Sequence, residues 1–410
     1  MTKKKDLKKS SAYMKSVPKM KKIMRNYYLK AKHARYLGKK VAWITSGGPV
    51  EPLIAMGIIP VYPENHGAMI GVSHTGVEFC EVAEGMGYSG DLCSYARADI
   101  GCSVTGGGPV GGLPHPDMLI CCNNICGTVL KWYEIQARKF KVPLFIFDTP
   151  FVHTEFTKEA KNYVDRQVKD YIRFLETAMK KKFPYDKMNV VGKRSVEAMR
   201  LWQQVLDTAT ARPAPFTAFD AFFHLALIVT LRGTRTVLRY YEFLLEELNR
   251  RVEKGIGMVE NEQYRFLWDN LPIWHRMRWL SRTFAARSAA LVADTYTSAW
   301  CGTVDFIDEN DFLGSMGEAY TRIYLNIGVD QMAEKVVKMI DKYDVDGLVM
   351  HSNRSCKPYS FGQYDIQKIV QRERGLPVLI LESDMVDARK FSEGQVETRI
   401  DAFMEMVGQK

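Results

Sequence analysis

A chain of 410 residues, 46% hydrophobic and 25% charged, has the composition of a globular protein of two or three domains that needs no disulfide staples. Its longest apolar stretch, Ala218 to Leu231, is broken by Asp220 and His224 and falls short of the roughly 18–20 residues a membrane span needs. The basic start MTKKKDLKKSS leads into no apolar signal region, so membrane and secreted classes are excluded and a cytoplasmic protein is expected.

Charge separates the chain into an arm and a body. Residues 1–40 hold 15 Lys or Arg against one acid, Asp6, whereas the rest carries 42 basic and 46 acidic groups. The arm reads as a solvated helix that packs its Tyr and Met residues on a neighbour. It is expected to pack near Tyr27–Tyr36 and to stay mobile over residues 1–12. No zinc-finger or RNA-binding spacing accompanies it, so no nucleic-acid partner is expected.

VAWITS (41–46) reads as a strand ending in Gly47-Gly48-Pro49, a sequence suited to entering a helix. IIPVY (58–62) gives a second strand, and a helical segment surrounds Val77–Met86. DMLICC (117–122) and VPLFIFD (142–148) are buried strands flanking the amphipathic helix 126–140. From Thr157 to about Gly255 the pattern is helical only. Alternation then returns with a helix near 273–286, AALVAD (289–294), a helix at 330–343, DGLVMH (346–351), LPVLILE (376–382) and a closing helix. Nearly all-apolar strands alternating with helices predict parallel sheets covered on both faces. The expected architecture is α/β: two Rossmann-like domains, 41–155 and 259–410, with a helical region, 156–258, between them and the arm, 1–40, in front.

The run Gly106-Gly107-Gly108-Pro109-Val110-Gly111 fits a dinucleotide fingerprint, but a strand follows it where a helix is required, so it reads as a loop. No Walker A sequence is present, which excludes ATP binding through a P-loop. Six of the eight cysteines lie between positions 80 and 126, without a CxxC pair. The segment Cys121-Cys122-Asn-Asn-Ile-Cys126 sits where a strand passes into a helix, Cys356 repeats the arrangement, and Cys93 lies in another loop entering a helical segment. Ligands collect at the carboxyl ends of strands, and helix N-termini favour thiolates, so three loop thiols can converge on one metal centre. They read equally as small buried hydrophobes. Zinc, the alternative metal, takes four protein ligands in structural sites, whereas an iron–sulfur cluster tolerates distant ones. Cys80 and Cys301 read as packing residues, and Cys102 and Cys121 as ambiguous.

Taken together, ENHGAMIG, DLCSYARADIG, PDMLICCNNICGTVLKWYE and MHSNRSCKPYSFGQYD resemble the benzoyl-CoA reductase and 2-hydroxyacyl-CoA dehydratase family, from about Val41 to the C-terminus. The resemblance implies two α/β domains with helical additions. It also implies a [4Fe–4S] cluster on Cys93, Cys126 and Cys356, with Cys122 the position most open to exchange with Cys126. A related second catalytic subunit, or a second copy of the chain, and an ATP-hydrolysing iron–sulfur activator are the implied partners. The implied substrate is an acyl-CoA thioester, reduced by one electron to a ketyl radical under anaerobic conditions. The wording of the motifs favours reduction of an aromatic acyl-CoA such as benzoyl-CoA. The alternatives are an (R)-2-hydroxyacyl-CoA dehydratase, a lyase, or a double-cluster electron-transfer homodimer using further cysteines. The loop from Ser46 to Glu51 and the Glu64-Asn65-His66 turn lie at strand ends and are expected to line the dry pocket this chemistry requires, with Ser46, Glu51 and His66 the candidate catalytic residues.

Overall fold

The structure, a computed structural model, describes residues 14–409. The mobility expected for residues 1–12 lies outside the described residues. Two four-stranded sheets, parallel throughout, organise the rest. β1 (Val41–Ile44), β2 (Ile59–Val61), β3 (Met118–Cys122) and β4 (Leu144–Phe147) pair in the order β2-β1-β3-β4. β5 (Tyr264–Asp269), β6 (Ala289–Asp294), β7 (Gly347–Asn353) and β8 (Val378–Ser383) pair as β6-β5-β7-β8. Both sheets therefore wind alike: the chain steps outward to the second strand and returns to the other side of the first. This creates a switch point between β1 and β3, and another between β5 and β7, where diverging loops leave a crevice at the strands' carboxyl ends.

Strand periodicity divides the first sheet between two cores. Val41, Trp43, Leu119 and Cys121 face a core shared with the second sheet. Ala42, Ile44, Met118, Ile120 and Cys122 face the helical region. That region carries the long helices Lys158–Met179, Tyr185–Asp207 and Arg235–Glu253 and, as expected, no strand. The apolar run at 218–231 folds as two short helices, Ala218–His224 and Ala226–Leu231, the first opened by a Thr217–Asp220 capping box. Among the described residues no helix is long and apolar enough to cross a membrane.

Helix Ser16–Lys32 packs the arm on the body. The backbone amides of Lys15 and Ser16 donate to the Glu247 carboxylate at 2.5 and 2.9 Å, and Tyr27 donates to the Pro60 carbonyl at 2.8 Å. Packing stops short of the expected limit, since Tyr36 is 88% exposed. The two sheets are tied together by a parallel bridge between Val152 and Ile327 and by the Trp274 indole, which donates to Tyr95 Oη at 2.5 Å.

Candidate active site

Each of Cys93, Cys126 and Cys356 is the residue immediately before a helix: Ser94–Thr105, Gly127–Phe140 and Lys357–Ser360. Cys126 and Cys356 occupy matching places, each just past the third strand of its sheet at the switch point. All three sulfurs open on one cavity of about 170 Å³, walled mainly by apolar side chains such as Val129, Met199, Leu271, Ile307 and Phe312. The other five cysteines are buried and do not line it. Cys121 and Cys122 belong to β3, and Cys102 donates to the Gly107 carbonyl at 2.8 Å in another part of the domain.

The loops bearing the cysteines are fixed by buried hydrogen bonds. Arg97 reaches back from its helix to the Leu92 carbonyl (3.0 Å), pinning the residue before Cys93, and pairs with Glu84 and with Asp387 at 3.2 Å. The Asn124 amide donates to the carbonyls of Gly47 (2.8 Å) and Tyr320 (2.6 Å), holding the β3 loop against the β1 loop. The approach is close enough that a Cβ on Gly47 would lie 2.9 Å from Ile125 Cγ1. Between the sheets, the Ser94 amide donates to Ser355 Oγ at 3.2 Å, and Ser355 Oγ donates to the Asp384 carboxylate at 2.5 Å. The neighbours of Cys93 and Cys356 thus bond one another directly.

Burial pushes the Cys93 thiol up to about 12, and the nearby Cys126 adds to this against an opposing pull from the Tyr95 and Ala96 amides. Cys126 and Cys356 are raised by burial too, Cys356 further by both other thiols. Three sulfurs that resist ionisation alone, each facing first-turn amides, suit a cationic group that stabilises thiolates. Among the described residues, no three His, Cys, Asp or Glu side chains gather closely enough to hold a single metal ion. Thiolates on one zinc would lie within roughly 4 Å of one another.

Ser46 and Glu51 line the same cavity. The Ser46 amide donates to Glu64 Oε1 at 3.0 Å, while both Glu51 oxygens are engaged by Arg232 (3.0 Å), Ser195 (2.5 Å) and Tyr320 (2.7 Å). His66 is placed elsewhere. It lies on helix Pro63–Val72, where a turn was expected, and faces a separate cavity with Asp99 and Cys102; its Nε2 meets the Pro109 carbonyl at 3.1 Å. Burial lowers it to about 4, leaving a neutral ring. Glu64, two residues earlier, is the residue that faces the thiols. Burial raises its carboxyl to about 7 against opposing hydrogen bonds from the Ser46 amide and the Tyr133 hydroxyl. Arg232, Tyr296 and Tyr320 also line the cavity and carry no motif that marks them in the sequence.

A cavity at the paired switch points of two parallel sheets, lined by three cysteines that each precede a helix and by a buried carboxyl, marks the candidate active site of an α/β enzyme. The chain belongs to the family described as 2-hydroxyglutaryl-CoA dehydratase, D-component, which it matches over residues 45–407. It is 34% identical to the (R)-2-hydroxyisocaproyl-CoA dehydratase alpha subunit of Clostridioides difficile, with 95% of each chain covered. It is 33% identical to the lactoyl-CoA dehydratase alpha subunit of Anaerotignum propionicum, with 92% of this chain and 93% of that one covered. Identity to a benzoyl-CoA reductase subunit of Thauera aromatica is 29%, with 96% and 95% covered.

Proposed function

We propose that the chain is the catalytic subunit of an (R)-2-hydroxyacyl-CoA dehydratase and that Cys93, Cys126 and Cys356 hold a [4Fe–4S] cluster. The observation that carries this is the convergence of three helix-capping thiols, out of eight cysteines, on one cavity in a chain of this family. When bound, the cluster would supply single electrons to the substrate's thioester. The chain's own residues do the rest. Apolar walls exclude water, so fixed dipoles and charges act at close to full strength. Glu64, held near neutrality, can give a proton to a leaving hydroxyl or take one from the β-carbon. The net reaction removes the 2-hydroxyl and one β-hydrogen as water and returns the electron.

The acyl group is apolar. Among the described residues Arg232 is the one cation lining the cavity; it is already neutralised by Glu51 and lies over the rings of Trp300 and Tyr320 at 5.4 and 5.7 Å. A second carboxylate on the substrate would find no free cation among the described residues and would have to lose its hydration.

Dehydration is preferred to the reductive reading that the motifs suggested because the relatives at 34% and 33% are dehydratase subunits. Benzoyl-CoA reduction is retained as the second reading on the near full-length likeness to the reductase subunit. Those relatives are each named as one subunit of a larger enzyme, which supports a partner subunit for this chain, and the ATP-hydrolysing activator is its expected electron source. The test is anaerobic reconstitution with partner and activator. About four irons and four sulfides per chain are expected. Turnover should favour 2-hydroxyisocaproyl-CoA over 2-hydroxyglutaryl-CoA and consume far less than one ATP per product. Stoichiometric ATP with benzoyl-CoA would establish the reductase, and absence of iron would end both readings.

A further inference from the structure

A second, larger cavity of about 590 Å³ adjoins the first and shares Ser46 and Tyr296 with it. One wall is helix Ser16–Lys32 and another is helix Pro63–Val72. Its inner surface is apolar, formed by residues such as Met24, Met69, Phe222 and Trp274, and among the described residues no acidic side chain lines it. Three cations do: Lys21, Arg25 and Lys32. At 3.6 residues per turn they fall within about 40° of one another on the helix.

All three are exposed, and Lys21 and Arg25 make no hydrogen bond or ion pair among the described residues. Lys32 reaches across to the Gly111 carbonyl at 3.0 Å, in the glycine-rich loop whose Pro109 and Val110 also line the cavity. That loop, a rejected dinucleotide fingerprint, is thus one lip of the opening. An apolar passage with cations on one wall, ending beside Ser46, matches a ligand charged at one end and reactive at the other. Coenzyme A is such a molecule: a diphosphate and a 3′-phosphate at one end, an uncharged pantetheine arm, and the thioester at the tip.

We propose that this passage admits the substrate, with Lys21, Arg25 and Lys32 binding the coenzyme A phosphates and the apolar wall holding the pantetheine arm. The arm's basic charge then has a function on this chain, in binding the substrate's nucleotide end. The inference rests on the acyl-CoA reading above.

The test is titration calorimetry of coenzyme A, with no acyl group, on the reconstituted subunit complex carrying Lys21→Ala, Arg25→Ala and Lys32→Ala together. Affinity should fall at least about tenfold at low salt, because charge-assisted contacts to phosphate are lost. The difference should narrow at high salt. Turnover of an S-acyl-pantetheine, which lacks the phosphates, should match wild type, as should iron content. Lys22→Ala with Lys30→Ala removes charge from helix positions that do not line the cavity and should leave coenzyme A affinity near wild type. Equal affinity in the triple variant, or an equal loss in the control pair, overturns the proposal. So does dissociation of the subunits with coenzyme A binding retained, which would make this helix face a subunit contact. If the wild-type complex itself binds no coenzyme A, the acyl-CoA reading has failed, a result separate from a wild type that binds it and a variant that binds it equally well.

Discussion

Replacing Ser355 by alanine tests whether the two sheets hold the thiols in place through side chains that touch neither substrate nor sulfur. Ser355 Oγ donates to Asp384 at 2.5 Å and accepts from the Ser94 amide at 3.2 Å, and all three residues are buried. A hydrogen bond to a carboxylate is worth about 1.5–3 kcal/mol, and a buried amide left without an acceptor adds a further cost. Asp384 keeps two donors, the amides of Val386 and Asp387 at 2.8 Å, so its charge is not stranded. The expected destabilisation is about 2–4 kcal/mol. Ser94→Ala is the contrast: it keeps the amide that donates and loses only a hydroxyl 3.3 Å from Ser355, for about 1 kcal/mol or less. Urea unfolding of the reconstituted protein, followed by fluorescence, measures both. Iron release to a chelator should quicken in Ser355→Ala, because the bond across the sheets spaces Cys93 from Cys356. If Ser355→Ala unfolds with wild type and releases iron at the wild-type rate, the clasp does not position the site.

Single substitution of Cys93, Cys126 or Cys356 by alanine should abolish full cluster assembly, whereas Cys122→Ala, buried in β3, should retain iron; the reverse pattern for Cys122 and Cys126 would show the ligands misassigned. Glu64→Gln should lower kcat by about 100-fold with iron content unchanged, and the limb of the wild-type pH–rate profile near 7 should vanish with it. A profile that keeps that limb removes Glu64 from proton transfer. Asp387 resists burial's upward push because Arg389 and Arg97 hold its carboxyl down at about 2. A depressed folded-state value contributes stability that is fully present above the ordinary aspartate range and is lost as pH falls from about 4 to 2. Asp387→Asn should therefore cost about 2 kcal/mol at pH 7 and much less near pH 2; a cost independent of pH in denaturant titrations would contradict this.

Apolar strands at regular spacing make seven of the eight strands visible in the sequence. The missing one, β5, is one of the two inner strands of its sheet, and chemistry explains why it was hidden. Its sequence, YRFLWD, places Arg265 and Asp269 in a strand that an apolar pattern should fill. Arg265 is fully buried yet satisfied by the carbonyls of Tyr343 (2.8 Å), Ala211 (3.1 Å) and Ala209 (2.5 Å) and by Glu262 (2.6 Å). Asp269, raised to about 6 by burial, accepts from Thr295 and Gln363 at 2.8 and 2.7 Å. Those partners lie up to 94 residues away, so only the folded chain makes the charges tolerable.

The same distinction between local and distant partners governs what was legible in the site. The thiols could be read because each announces itself locally, as a strand or loop passing into a helix. Glu64 and His66 stand two residues apart on one helix and differ by about 200° around it. Which of them meets the thiols depends on how helix Pro63–Val72 is rotated against the sheet. That rotation is set by contacts outside the helix: a Cβ on Gly67 would lie 2.5 Å from Tyr95 Cδ1, and one on Gly71 2.7 Å from Trp274 Cβ. The two glycines press one side of the helix against the Tyr95–Trp274 pair that also joins the sheets. Glu64 then turns to the cavity, and His66 to the far side. Arg232 and Tyr320 pose the same problem over longer range, since 181 and 269 residues separate them from the Glu51 they engage. Even there an ion pair is only half of the information. Glu51 lines the cavity as expected, yet Arg232, Ser195 and Tyr320 leave it no role but to shape the wall.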